Sequence, residues 1–80
     1  MNDAEIVEHI DTLVAEEHHL EREHGERDLS AGERERLGQI EVQLDQCWDL
    51  LRQRRARRSA GQDPDEGHVR PAEVVEHYQQ

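Results

Sequence analysis

Two stretches of this chain carry residues in the same alternating steps of four and three, and read in opposite directions they match rung for rung. The first stripe is Ile6, Ile10, Leu13, Glu17, Leu20 and His24; the second is Leu37, Ile40, Leu44, Cys47, Leu51 and Arg54. Such spacing is the seam of a coiled coil, because it keeps one narrow side of a helix turned toward its neighbour. A fold-back near Leu29 pairs Ile6 with Leu51, Ile10 with Cys47, Leu13 with Leu44, Glu17 with Ile40, and Leu20 with Leu37. The pattern predicts an all-α protein: an antiparallel, coiled-coil-like helical hairpin over 1–60, then a loop and a short C-terminal helix over 61–80.

The helix ends are written in the local sequence. Asn2 with Glu5 and Ser30 with Glu33 have the spacing of capping boxes, and Leu29 stands where a hydrophobic staple would. Gly25 suits the stop of the first helix, expected over 3–24. The second is expected over 31–59, weakened at its start by Gly32 and Gly38 and ended in arginines that complement the helix dipole. Beyond Gly61 the chain changes character. Asp63 and Pro64 form a turn within a loop over 62–69, and Pro71 opens a short helix over 72–78 with Val74, Val75 and Tyr78 on one side. Asp63-Pro64-Asp65-Glu66 lacks the length and ligand alternation of a calcium loop and reads as a turn.

A hairpin of two helices can bury only one side of each. Val7, Val14, Val42, Trp48 and Leu50 lie beside the seam and widen the apolar face beyond it. A second copy is the economical cover, giving a homodimeric four-helix bundle with the C-terminal helix as a lid. The chain is 38% charged with a net charge of -10, which places it near disordered compositions, but the heptad order argues for folding. Every basic residue is arginine, a bias of GC-rich, bacterial genomes. The single cysteine excludes an intramolecular disulfide framework. Asp3, Glu5 and Glu8 stand where a signal peptide would be basic and apolar, and no apolar run is long enough to span a membrane; the expected location is cytoplasmic.

Few residues suggest chemistry. Glu21 and His24 have the spacing used by di-metal helical bundles, Glu17 shares their side of the helix, and Glu33 falls opposite His24. An acidic helix meets that spacing readily, so a solvated face is the simpler reading and no cofactor is expected; Glu17, Glu21 and His24 are the ligands if a metal binds. Arg52, Arg54, Arg55, Arg57 and Arg58 crowd the end of the second helix. Arginine suits phosphate and carboxylate recognition, but net acidity and the lack of interleaved aromatics argue against nucleic acid. The register sets Asp3 against Arg54 and Glu5 against Arg52, leaving Arg55, Arg57 and Arg58, with Trp48, as candidate partner-binding residues. The Asp63–Glu66 turn is the competing neutraliser of Arg57 and Arg58. Cys47 is expected to pack against Ile10, with His9 pointing elsewhere, so it lacks the neighbour that would activate a thiol.

The segment LDQCWDLLRQRRARR from Leu44, the following GQDPDEGHVRP from Gly61, and Glu16-Glu17-His18 resemble a small family of actinobacterial proteins catalogued as a domain of unknown function. The resemblance implies a soluble, cytoplasmic protein and transfers no catalytic or binding residue. The reading that follows is a self-associating helical interaction module, not an enzyme. The alternatives are a small regulator that binds an anionic protein or nucleotide through its arginine end, and a metal-binding bundle.

Overall fold

The computed structural model describes residues 1–24 and 29–75, without the side chains of Glu23 and His24. Helix α1 runs Asp3–His24, α2 runs Ala31–Ser59, a single 3-10 turn spans Pro64–Glu66, and α3 covers Ala72–Val75. Both long helices have the bounds expected from sequence. Their starts are the two capping boxes. The Asn2 and Glu5 amides donate to each other's side chains at 2.9 and 2.8 Å. Ser30 and Glu33 do the same at 2.9 and 3.1 Å. Each box satisfies two amides that the first turn of a helix leaves without partners. Gly25 as a helix stop and Tyr78 as part of the C-terminal helix both lie outside the described residues.

The two long helices pack against each other along the expected stripe. Ile6, Ile10 and Leu50 form the buried cluster, and Val14, Leu44, Cys47 and Leu51 pack around it. Leu13, Leu29 and Ile40 are buried as well. Glu17 sits half-buried at the edge of the core. Arg54 donates to Asp3, as the register requires. Near the other end, Arg36 grips Glu16 in a two-pronged pair at 2.6 and 2.7 Å.

Two expectations are corrected. Leu50 is only 7% exposed, whereas Leu51, which the seam favours, is half-buried. The reason is the path of the C-terminal segment, which returns along α2 and covers the Leu50 side. Glu5 does not turn to Arg52; its carboxylate closes the cap on Asn2.

The return path begins at a Schellman turn. The Gly61 and Gln62 amides donate to the carbonyls of Arg58 and Arg57 at 3.2 and 2.7 Å. Gly61 has φ +74, a conformation that glycine adopts without steric cost. Asp63 then caps the 3-10 turn through the Asp65 amide. A Cβ at Gly67 would crowd the Pro64 carbonyl of the same turn at 3.3 Å, while the Gln53 side chain of α2 would lie at an ordinary 3.6 Å.

A polar stripe on α2, Gln46, Asp49 and Gln53, then holds residues 68–70. The Gln53 amide donates to the His68 carbonyl at 2.6 Å and accepts from the His68 amide at 3.3 Å, as a backbone would. Gln46 donates to the Arg70 carbonyl at 3.2 Å. Asp49, 1% exposed, receives two bonds from the Arg70 guanidinium and a third from Gln53 at 2.9 Å. Val75 of α3 is fully buried beyond this latch.

The Arg70 hydrogen bond holds the Asp49 carboxyl below the usual range, against the burial that would raise it. Arg70→Ala strands a carboxylate in the interior and is expected to cost about 3 kcal/mol. Asp49→Ala leaves a partly exposed guanidinium that water can reach, and is expected to cost less, about 1–3 kcal/mol. Urea titrations of both variants check the order.

A carboxyl whose folded pKa is depressed contributes stability that is complete above its unfolded pKa and is lost as pH falls through the folded value. The stability difference between the parent and Asp49→Asn is therefore expected to be full at pH 7 and to shrink below about pH 4. Comparing the two chains at each pH removes the common effect of their net charge. A difference that stays constant down to pH 2 contradicts this account.

Candidate functional site

The hairpin has two unlike sides. The C-terminal segment occupies one. The other retains apolar surface: Val7 is 45% exposed and Trp48 49%. Their placement follows from the helical period. Trp48 is one residue past the seam position Cys47, and Val7 one past Ile6, so each stands about 100° round from the seam. The antiparallel register brings them to nearby levels on the same flank. Val14, Leu44 and Leu51 border this flank and are half-buried.

The arginine end of α2 is mostly occupied from within. Arg54 is 6% exposed and lies between two carboxylates, donating to Asp3 and, at 2.8 Å, to Asp65. Arg58 donates to Asp3 at 2.9 and 3.3 Å. Arg57 reaches Glu66 at 3.4 Å. Arg58 thus has a partner in α1 that the register did not anticipate, and the acidic turn does fold back to Arg57. Asp3 is held below the usual carboxylate range by Arg58 and then Arg54, and Asp65 by Arg54. The charges of this cluster are largely spent on joining the start of α1, the end of α2 and the following turn. Arg55 remains exposed on the flank that carries Trp48.

Cys47 lines a small cavity of about 170 Å³ with Ile6, His9, Leu50 and Val69. His9 therefore faces the same space as the thiol, contrary to the expectation that it points elsewhere. The cavity wall is largely apolar, and burial pushes the Cys47 thiol up, the reverse of what a nucleophile needs. In α1, Glu17 is half-buried, Glu21 is exposed, and the side chain of His24 lies outside the described residues. No three His, Cys, Asp or Glu side chains converge on a common point among the described residues. No helix among them is long and apolar enough to cross a membrane.

Sequence reasoning missed the Gln46–Asp49–Gln53 stripe and its partner Arg70. A signal existed: steps of three and four place these polar residues on one side of α2, away from the seam, which marks a face made for polar contacts. Nothing in the spacing identifies residues 68–70 as what fills it.

The chain belongs to the family described as "Protein of unknown function (DUF2630)", whose model matches residues 2–80. Among its relatives are uncharacterized protein Rv0898c of Mycobacterium tuberculosis and uncharacterized protein Mb0922c of Mycobacterium bovis. Each is 52% identical over 77 residues, covering 95% of this chain and 88% of the relative. The resemblance carried by the Leu44–Arg58 segment is borne out, including its actinobacterial character. No solved structure matches the chain.

Because the Arg57 and Arg58 pairs are solvent-accessible, replacing both residues with Gln is expected to change stability by less than about 1 kcal/mol, read from chemical denaturation. A larger loss would make these pairs essential to the hairpin.

Proposed function

We propose that this member of a family of unknown function is a cytoplasmic helical interaction module that associates with a second copy of itself and carries out no catalysis of its own. The observation that carries the reading is the uncovered flank of Val7 and Trp48. The C-terminal segment covers the opposite side of the hairpin and leaves this one to water. A broad ring half exposed at the centre of a long helix is the kind of anchor that dominates protein interfaces. A second hairpin on this flank completes a four-helix bundle whose core includes Val14, Leu44 and Leu51.

The arginine-end reading has less support. Arg54, Arg57 and Arg58 would have to exchange an internal carboxylate for an external anion. Arg55 and Trp48 lie together on the open flank, so an anionic segment of another protein is the alternative occupant. A metal-binding bundle would need Glu17 and Glu21 to turn toward one point with His24.

Sedimentation equilibrium at micromolar concentration is expected to give twice the chain mass of 9.4 kDa. Trp48→Ala is expected to weaken the dimer by about thirtyfold or more, as for other central aromatic anchors. A cooperatively folded monomer for the parent chain refutes the proposal.

A further inference from the structure

We infer that the second copy lays its α2 antiparallel to the first across the open flank, with the two-fold axis at Trp48 and reciprocal ion pairs joining Glu41 of each copy to Arg55 of the other. The inference rests on the self-association reading above and adds its geometry. On α2, Glu41, Leu44, Trp48, Leu51 and Arg55 follow one another in alternating steps of three and four. That is the same rule as the intramolecular seam, with which the stripe shares the half-buried Leu44 and Leu51, while Glu41, Trp48 and Arg55 turn it toward the open flank. The stripe is apolar in its middle, charged at both ends, and opposite in sign at those ends.

Its symmetry is what selects the partner. Glu41 and Arg55 stand seven residues before and after Trp48, two helical turns each way. Both are exposed, and neither forms an ion pair among the described residues. A two-fold contact is isologous, so positions equidistant from the axis meet each other. With Trp48 on the axis, Glu41 meets Arg55 twice, and the two indoles meet once.

The wider charge pattern agrees. Before Trp48 the helix carries Glu33, Glu35, Glu41 and Asp45 against Arg34 and Arg36; after it come Arg52, Arg54, Arg55, Arg57 and Arg58 against Asp49. Antiparallel apposition about Trp48 sets Glu41 of each copy against Arg55 of the other, whereas parallel apposition sets Glu41 on Glu41 and Arg55 on Arg55. A net charge of -10 on each chain opposes any self-association, so a pairing that brings opposite charges together is strongly favoured over one that does not.

The test exchanges the charges. In the homodimer of Glu41→Arg, positions 41 and 55 both carry guanidinium groups; in that of Arg55→Glu, both carry carboxylates. Each variant is expected to dissociate about tenfold more readily than the parent in sedimentation velocity at low salt, because two attractive pairs become two repulsive ones. An equimolar mixture of the two variants is expected to recover parental affinity within about threefold, since every pair in the heterodimer is again opposite in sign. The doubly exchanged chain, Glu41→Arg with Arg55→Glu, is expected to recover it alone.

Glu41→Arg is the sharper arm. It lowers the net negative charge, so a non-specific electrostatic effect would tighten its dimer. Far-UV circular dichroism establishes that each variant is folded, and the doubly exchanged chain gives an answer even where a single variant is not. A dimeric parent whose single variants dimerise as it does, or whose mixture fails to recover, overturns this pairing and leaves self-association standing. A monomeric parent overturns both.

Discussion

A carboxylate withdrawn from water has to be matched by donors, and the way Asp49 is matched sets the asymmetry of this molecule. Its oxygens take two bonds from Arg70 and one from Gln53. Arg70 lies 21 residues further along the chain, so satisfying Asp49 means bringing the C-terminal segment back over α2. The rest of the latch follows. Gln53 and Gln46 take up the backbone of residues 68–70, Leu50 is buried beneath the returning chain, and Val75 is buried within it. The interaction binds an irregular segment to a regular helix through a directional, two-pronged pair that other contacts do not reproduce.

The same placement leaves the opposite flank open. Trp48 and Asp49 are adjacent in sequence and about 100° apart around the helix. A segment that covers Asp49 and Leu50 therefore leaves Trp48 and Val7 to water. The arginine-rich end obeys a related economy. Asp3 receives both Arg54 and Arg58, Asp65 receives Arg54, and Glu66 receives Arg57, so one cluster fixes three parts of the chain. What looks in sequence like a basic patch on an acidic protein becomes a neutralised junction.

Much of the fold was legible because it is local or periodic. Both long helices begin at capping boxes whose partners are three residues apart, and nothing distant is needed to recognise them. The antiparallel register was legible because two matching stripes admit one fold-back that buries them together, and the Asp3–Arg54 pair falls on it. The misreadings share a cause. Leu51 was favoured over Leu50, His9 was turned away from Cys47, and Arg58 was left without a partner. Each was judged on a bare two-helix hairpin, without the third segment or the freedom of long side chains to reach off their rung.

By itself the sequence determined where the helices begin, their direction relative to each other, and which stripe of each faces inward. It also determined membership of a family of unknown function, through motifs that need no fold to be recognised. Only the tertiary structure decided which side of the hairpin the C-terminal segment would cover. That choice depends on one buried carboxylate meeting one distant guanidinium. Periodicity registers the polar stripe around Asp49 but has no means of naming Arg70, because the loop between them carries no repeating pattern to measure the distance by.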